Sequence, residues 1–231
     1  MDGKYHAAVI FDVDGPLLNL TPEEEDAYFV PFQEVHGLDE LSRDWDGYKI
    51  RNDIEIYREI LSDHLGRPPS DDEIAKLSRR YFGVLREALD SGAAKVEEIP
   101  GARQLLERLR AYDGIALGMA TANFREAARI RLECVGMWSH LQDFPGAAEC
   151  GGAKRDVLAS VVAALGLAKE RVVFLGDNLN DFDAAQACDV HFIGFHVTEQ
   201  RRARLAAAGA ATTAGDHETS LSLIRGFLGL D

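Results

Sequence analysis

Two short acidic stretches, far apart in the chain, carry the residue types that could do chemistry. Val-Ile-Phe-Asp-Val-Asp-Gly-Pro-Leu-Leu at 9–18 ends an apolar run in Asp12 and Asp14, and Gly-Asp-Asn-Leu-Asn-Asp at 176–181 ends another in Asp177 and Asp181. Carboxylates gathered in one place repel one another, and the usual remedy is a divalent cation with oxygen ligands. Magnesium favours one or two carboxylates with water and substrate phosphate, a demand that this set can meet. Taken singly, each aspartate is an ordinary turn residue or helix cap. Chemistry requires that they converge.

Convergence depends on the elements that end in them. From about Pro100 onward the sequence alternates apolar runs with amphipathic ones. Strands are expected at 115–122, 171–176 and 190–195, with a short one near 210–213, and helices at 124–136, 156–165, 180–188, 198–208 and 218–228. Runs that are apolar throughout, rather than alternating, signal a parallel sheet covered by helices on both faces. The early run at 7–11 has no partner nearby in sequence and is expected to join that sheet. In an open parallel sheet, ligands bind beyond the carboxyl ends of the strands. Asp12 and Asp14 fall just past one strand end, Asp177 just past another, and Thr121 where a third finishes.

Residues 19–96 differ in kind, with helical periodicity and almost no strand signal. Thr21-Pro22-Glu23-Glu24 is a capping box with proline at the first helical position, opening a helix to about His36. Asn52 or Asp53 can cap a second helix through His64. Ser70-Asp71-Asp72-Glu73 is another capping box, opening a third to about Leu89. The expected architecture is therefore α/β: a doubly wound, Rossmann-like parallel-sheet core from 1–18 and 97–231, with an all-helical insertion at 19–96.

The bulk properties narrow the partners. In 231 residues, 46% are hydrophobic and 28% charged, which suits a folded domain with a sizeable core. A formal net charge of −14 argues against non-specific binding to nucleic acid or anionic membrane. It leaves room for a small anionic substrate, since a metal and a lysine can invert the sign locally. No run approaches a membrane span, and the N-terminal residues lack a secretory pattern. Three scattered cysteines form no Cys-x-x-Cys pair, so reduced thiols in a cytoplasmic protein are expected. Oligomeric state is not readable.

The order of the motifs resembles the haloacid dehalogenase superfamily, in its phosphoglycolate phosphatase-like branch with a helical cap. Phe-Asp-Val-Asp-Gly-Pro-Leu at 11–17 looks like its first motif. Gly-Met-Ala-Thr-Ala-Asn at 118–123 resembles the second, Lys154 fits the third, and Gly-Asp-Asn-Leu-Asn-Asp at 176–181 the fourth. Ile-Pro-Gly-Ala at 99–102, with the leucine-rich run after it, looks like the segment before the second motif. The resemblance implies a magnesium-dependent phosphatase acting on a small phosphorylated metabolite. Asp12 would be the nucleophile and Asp14 the proton donor and acceptor. Asp12, the Asp14 carbonyl and Asp177 would hold the metal, while Asp181 would orient metal-bound water or Lys154. Thr121, Lys154 and backbone amides near Val13, Asp14 and Ala122 would bind the phosphoryl oxygens, with Ala122 and Asn123 among the residues that line the substrate. An acid at position 14 points to phosphoryl transfer rather than dehalogenation. The departure is Pro16, where the family usually has Thr, which removes a hydroxyl and an amide donor.

In capped members the insertion carries much of the substrate choice. Tyr48, Lys49 and Arg51 lie in the most polar and aromatic loop of the insertion and are expected to face the leaving group. Two rival readings stand beside the phosphatase. A phosphomutase would return the phosphoryl group to a second hydroxyl. A phospho-acceptor or binding protein would need neither the acid at 14 nor a cap.

Overall fold

The structure, a computed structural model, describes residues 4–230. Strand β1 (Ala7–Phe11) lies in the middle of a six-stranded sheet. In chain order its partners are β4 (Ile115–Ala120), β5 (Pro145–Gly146), β6 (Val172–Gly176), β7 (His191–Phe195) and β8 (Thr213–Ala214), in spatial order β5-β4-β1-β6-β7-β8. Every pairing in this sheet is parallel. The reason β1 is central is visible in its composition. All five of its residues are apolar and buried, as only a strand with neighbours on both edges and helices on both faces requires.

Along β1 the side chains alternate. Ala7, Val9 and Phe11 join a cluster with α4 (Ala102–Arg110), α5 (Arg125–Cys134), α6 (Trp138–Leu141) and α10 (His217–Leu228). Ala8 and Ile10 face α7 (Lys154–Leu165) and α8 (Leu179–Cys188). Helix α9 (Glu199–Ala207) covers the β7–β8 edge through Leu205. The expected doubly wound arrangement is present. Its strand and helix ends differ from the sequence expectation by one to three residues, the usual fraying of ends. The two-residue strand β5 was not expected, because a Pro-Gly pair carries no strand signal.

The insertion contains α1 (Pro22–His36), α2 (Asp53–Leu65) and α3 (Asp71–Ser91). Both expected capping boxes form: Thr21 with Glu24, and Ser70 with Glu73. Asn52 is the cap of α2, its side chain accepting from the Ile54 amide. Phe32, Tyr57, Leu61, Leu77 and Leu85 bury a separate core, to which Phe124, Ala127 and Ile130 of the α5 region also contribute. Chain entry and exit run side by side. Strand β2 (Leu18–Asn19) pairs antiparallel with β3 (Glu97–Glu98), a ribbon too short to be seen in sequence.

Candidate active site

Because β1 lies between β4 and β6, the loops after these three strands meet at one edge of the sheet. The Asp12 amide extends the ladder by donating to the Leu175 carbonyl at 2.8 Å. Asp12 Oδ1 accepts from the Val13 amide at 2.7 Å and lies 2.6 Å from Lys154 Nζ. Lys154 is buried in the first turn of α7, and its ammonium also lies 3.0 Å from Asp181 Oδ1. The other Asp181 oxygen accepts from the amides of Asp177 and Asn178, both at 3.1 Å, and so caps α8. Asp181 is thereby committed to holding Lys154 and the Asp177 loop. Two glycines let the loops close: a Cβ at Gly15, where φ is +99°, would run into the Asp177 side chain, and one at Gly176 into Asp181.

The charges in this cluster do not balance. Carboxylate oxygens of Asp12, Asp177 and Asp181 lie within 4.8 Å of one another, and all three residues are buried. Burial is the main force raising the Asp12 carboxyl; Asp181 and Asp177 add to it and Lys154 opposes it. Burial and then Asp181 push Asp177 to about 7. For Lys154, burial works against the charge, but Asp12 and Asp181 outweigh it and keep the ammonium protonated. A single ammonium faces three carboxylates. Oxygen donors at this spacing, with negative charge in excess, fit a hard divalent cation. Asp12 and Asp177 would hold it.

Asp14 has a different setting. Its carboxylate accepts from Asn123 Nδ2 at 2.6 Å and from Arg131 Nη2 at 2.7 Å. Burial alone would raise this carboxyl, but the charge and hydrogen bond of Arg131, with Asn123, hold it below the ordinary range. Thr121 is buried just past β4, and its hydroxyl accepts from the Asn123 amide at 3.2 Å. Asp12, Asp14, Thr121, Asn123, Lys154 and Asp177 open on one cavity of about 670 Å³, which Ala122 also lines.

Of the three loop residues expected at the leaving group, the structure brings only Arg51 to this cavity. Tyr48 donates its hydroxyl to the Ser42 carbonyl at 2.7 Å, and Lys49 points to Glu59, with Nζ 3.7 Å from Oε1. Neither lines the cavity; both bound a separate shallow depression outside it. The loop spends these two side chains on its own folding. What the loop does deliver is the start of α2. The Asp53 amide donates to the Ala122 carbonyl at 2.9 Å, and Asp53 Oδ2 accepts from the Phe124 amide at 2.7 Å. Burial raises the Asp53 carboxyl to about 8, against the pull of the Phe124 amide. Asp53 and Arg131, both lining the cavity, had no distinguishing signal in the sequence.

Pro16 lies in the turn after Asp14, and that turn needs no donor from it. Gly15 donates to the Leu18 carbonyl at 2.8 Å, and the Leu17 and Leu18 amides donate to Val13 at 3.1 and 2.9 Å. The Pro16 carbonyl is taken by buried His217, whose Nε2 lies 2.9 Å away. A carbonyl only accepts, so Nε2 carries the proton. The imidazole stacks on Phe195 with ring centroids 4.3 Å apart.

The haloacid dehalogenase-like hydrolase family matches residues 6–189. The chain belongs to that family. It is 29% identical over 193 residues to a phosphoglycolate phosphatase of Rhodospirillum rubrum, a match covering 79% of this chain and 76% of the relative. Over 198 residues it is 38% identical to the tyrosine-protein kinase PtkA of Mycobacterium tuberculosis, covering 80% of this chain but only 60% of PtkA. Among solved structures, a putative β-phosphoglucomutase from Thermotoga maritima superposes with a TM-score of 0.64 at 22% identity, over 95% of this chain and 99% of that one. The fold and the phosphatase-type enzyme class expected from the motifs both stand. No helix among the described residues is long and apolar enough to cross a membrane.

Proposed function

We propose that this chain is a magnesium-dependent phosphatase that hydrolyses a small phosphorylated metabolite through an aspartyl-phosphate, with a catalytic core at 1–18 and 97–231 and a cap at 19–96. The observation that carries this reading is the meeting of Asp12, Asp177 and Lys154 with Thr121 and Asp14 at one cavity. A carboxylate of Asp12 attacks phosphorus, the ester P–O bond breaks, and the leaving oxygen takes a proton from Asp14. Against its burial, Arg131 with Asn123 favours the ionised form of Asp14. An arriving phosphate dianion works against that and favours its protonation. Water then attacks the phosphorus of the aspartyl-phosphate, Asp14 accepts its proton, and Asp12 and inorganic phosphate are released. Lys154, the Thr121 hydroxyl and the backbone amides near Asp14 and Ala122 hold the phosphoryl oxygens as charge builds on them. Magnesium, held by Asp12, the Asp14 carbonyl and Asp177, would offset repulsion between the anionic nucleophile and the anionic phosphate.

Arg51, which lines the cavity and also pairs with Asp46 at 3.2 Å, would be the loop cation that meets the rest of the substrate. The relatives include a phosphoglycolate phosphatase, which supports a small acidic phosphate ester as the substrate class. A second reading, transfer of the phosphoryl group to a hydroxyl instead of water, draws on the resemblance to a tyrosine-protein kinase. Phosphate release across sugar phosphates, phosphoacids and nucleotides, comparing the parent chain with Asp12→Asn, tests the first reading. We expect release by the parent only. Equal release by both would remove Asp12 as nucleophile, and transfer to a hydroxyl without phosphate release would favour the second.

A further inference from the structure

Arg131 makes contacts that the reaction as described does not require. It lies on α5 of the core, 2% exposed, among residues that are otherwise apolar where the helix is buried. Its guanidinium has three partners, each from a different part of the molecule. Nη2 donates to Asp14 Oδ1 at 2.7 Å and to the Asn19 carbonyl at 3.3 Å, while Nε donates to Glu24 Oε1 at 2.7 Å. Asp14 is beside the nucleophile, Asn19 is in the β2–β3 ribbon, and Glu24 is in the first turn of α1. Glu24 has no freedom of its own. Its second oxygen accepts from the Thr21 amide and hydroxyl at 2.9 and 3.0 Å in the capping box.

Burying a guanidinium is costly, and the cost is offset only when its donors are matched to carboxylates in good geometry. Here the planar fork is matched to two carboxylates at once, one in the core and one in the insertion. Moving α1 away would strip Glu24 from a buried cation and leave it on Asp14 and solvent. The direction in which Asp14 points is thus tied to whether α1 is docked.

We propose that Arg131 is a positioning residue for Asp14, and that through Glu24 it makes the pose of the proton donor depend on docking of the helical insertion. This rests on the reading of Asp14 as the group that protonates the leaving oxygen. Arg131 touches neither phosphoryl group nor metal in this scheme. Its effect is exerted on how well Asp14 reaches the leaving oxygen.

The test compares two substrates that differ in their need for a proton. p-Nitrophenolate leaves as a stable anion, whereas the alkoxide of β-glycerophosphate must be protonated. The readout is kcat/KM, which reports only the steps up to release of the alcohol and leaves out the later attack of water, where Asp14 acts alike for both substrates. Asp14→Asn sets the scale: kcat/KM on β-glycerophosphate should fall by about 10² or more, and on p-nitrophenyl phosphate far less. Arg131→Met should reproduce that selectivity at smaller amplitude, with kcat/KM on the alkyl ester down by about tenfold or more. Arg131→Lys, keeping one ion pair but not the fork, should fall between parent and Arg131→Met. Glu24→Gln, with Asp14 still paired, should lose a few-fold on the alkyl ester alone.

Equal losses on both substrates in Arg131→Met, or in Arg131→Lys and Glu24→Gln if the Met variant does not fold, would mean that Arg131 only supports the fold, and the inference falls while the acid role of Asp14 stands. Equal losses on both substrates in Asp14→Asn would instead remove the acid role, and the inference with it. An unchanged alkyl-ester kcat/KM in Glu24→Gln would overturn the link to the insertion.

Discussion

Two buried ionic clusters share one cavity and differ in their charge balance. On the β6 side, Asp12, Asp177 and Asp181 cluster about Lys154, which pairs with Asp12 and Asp181, while the exposed Arg201 reaches Asp177 only at 3.9 Å. On the α5 side, Asp14 and Glu24 share Arg131, with Asn123 and the Thr21 capping box filling the remaining lone pairs. The first cluster is short of positive charge and its Asp12 and Asp177 carboxyls are pushed up; the second holds Asp14 down. The difference separates two uses of buried charge. In the proposed reaction, one cluster would receive a cation and a phosphate, and the other would fix a side chain in place.

The sharpest way to break this comparison is to ask which cluster magnesium recognises. Adding magnesium at about a hundredfold excess over its Kd should stabilise the parent by about 2.7 kcal/mol, read as a rise in Tm. Asp177→Asn should abolish that rise and the activity, whereas Glu24→Gln should keep the rise. A rise retained in Asp177→Asn would show that the first cluster is not the metal site. Of similar size, Lys154→Met strands the buried Asp12 and Asp181 carboxylates, so unfolding by urea should show a loss of about 3 kcal/mol. Magnesium should recover part of it, because the ion replaces some of the missing positive charge.

The third prediction concerns the support behind the Asp14 turn. Burial, partly opposed by the bond to Pro16, lowers His217 from 6.5 to about 4. The unfolded chain therefore takes up this proton more readily than the folded one. Stability from this residue should be whole above pH 6.5 and drain by about 3 kcal/mol as the pH falls to 4. His217→Gln keeps a donor for the Pro16 carbonyl without the titration. Its urea midpoint should be flatter over that window, and an identical slope would refute the assignment. The smallest expected effect is at the rim. Lys49→Ala should leave kcat/KM unchanged and move stability by less than about 0.5 kcal/mol, because Lys49 is itself exposed and its pair to Glu59 is long, at 3.7 Å.

The same comparison divides what the sequence could reveal from what it could not. Asp12, Thr121 and Asp177 each follow an apolar run, so period and strand order sufficed to bring them to one edge. Capping boxes at Thr21 and Ser70 are local by construction, and both formed where the residues placed them. The Arg131 cluster joins residues more than a hundred positions apart. Nothing in the helix around Arg131 distinguishes it from Arg125 or Arg129, which lie on exposed or half-exposed faces. Tyr48 and Lys49 illustrate the reverse error. A loop can be rich in polar and aromatic side chains because it must bond to itself, and composition does not say which way those side chains turn.

The ribbon of β2 and β3 has a consequence in polymer terms. Leu18 pairs with Glu98 and Asn19 with Glu97, so the long helical excursion begins and ends a few ångströms apart. To the sheet it is a loop closed at the ribbon, with Glu24 and Asp53 tying its near face to the α5 region. The entropy of closing such a loop grows only with the logarithm of its length, about 0.6 kcal/mol for each doubling. The core is therefore almost indifferent to how much chain the ribbon carries. Chain could be added to or removed from the insertion beyond α1 and the start of α2 while β1, β4 and β6 kept their register, leaving the outer surface over the cavity free to change.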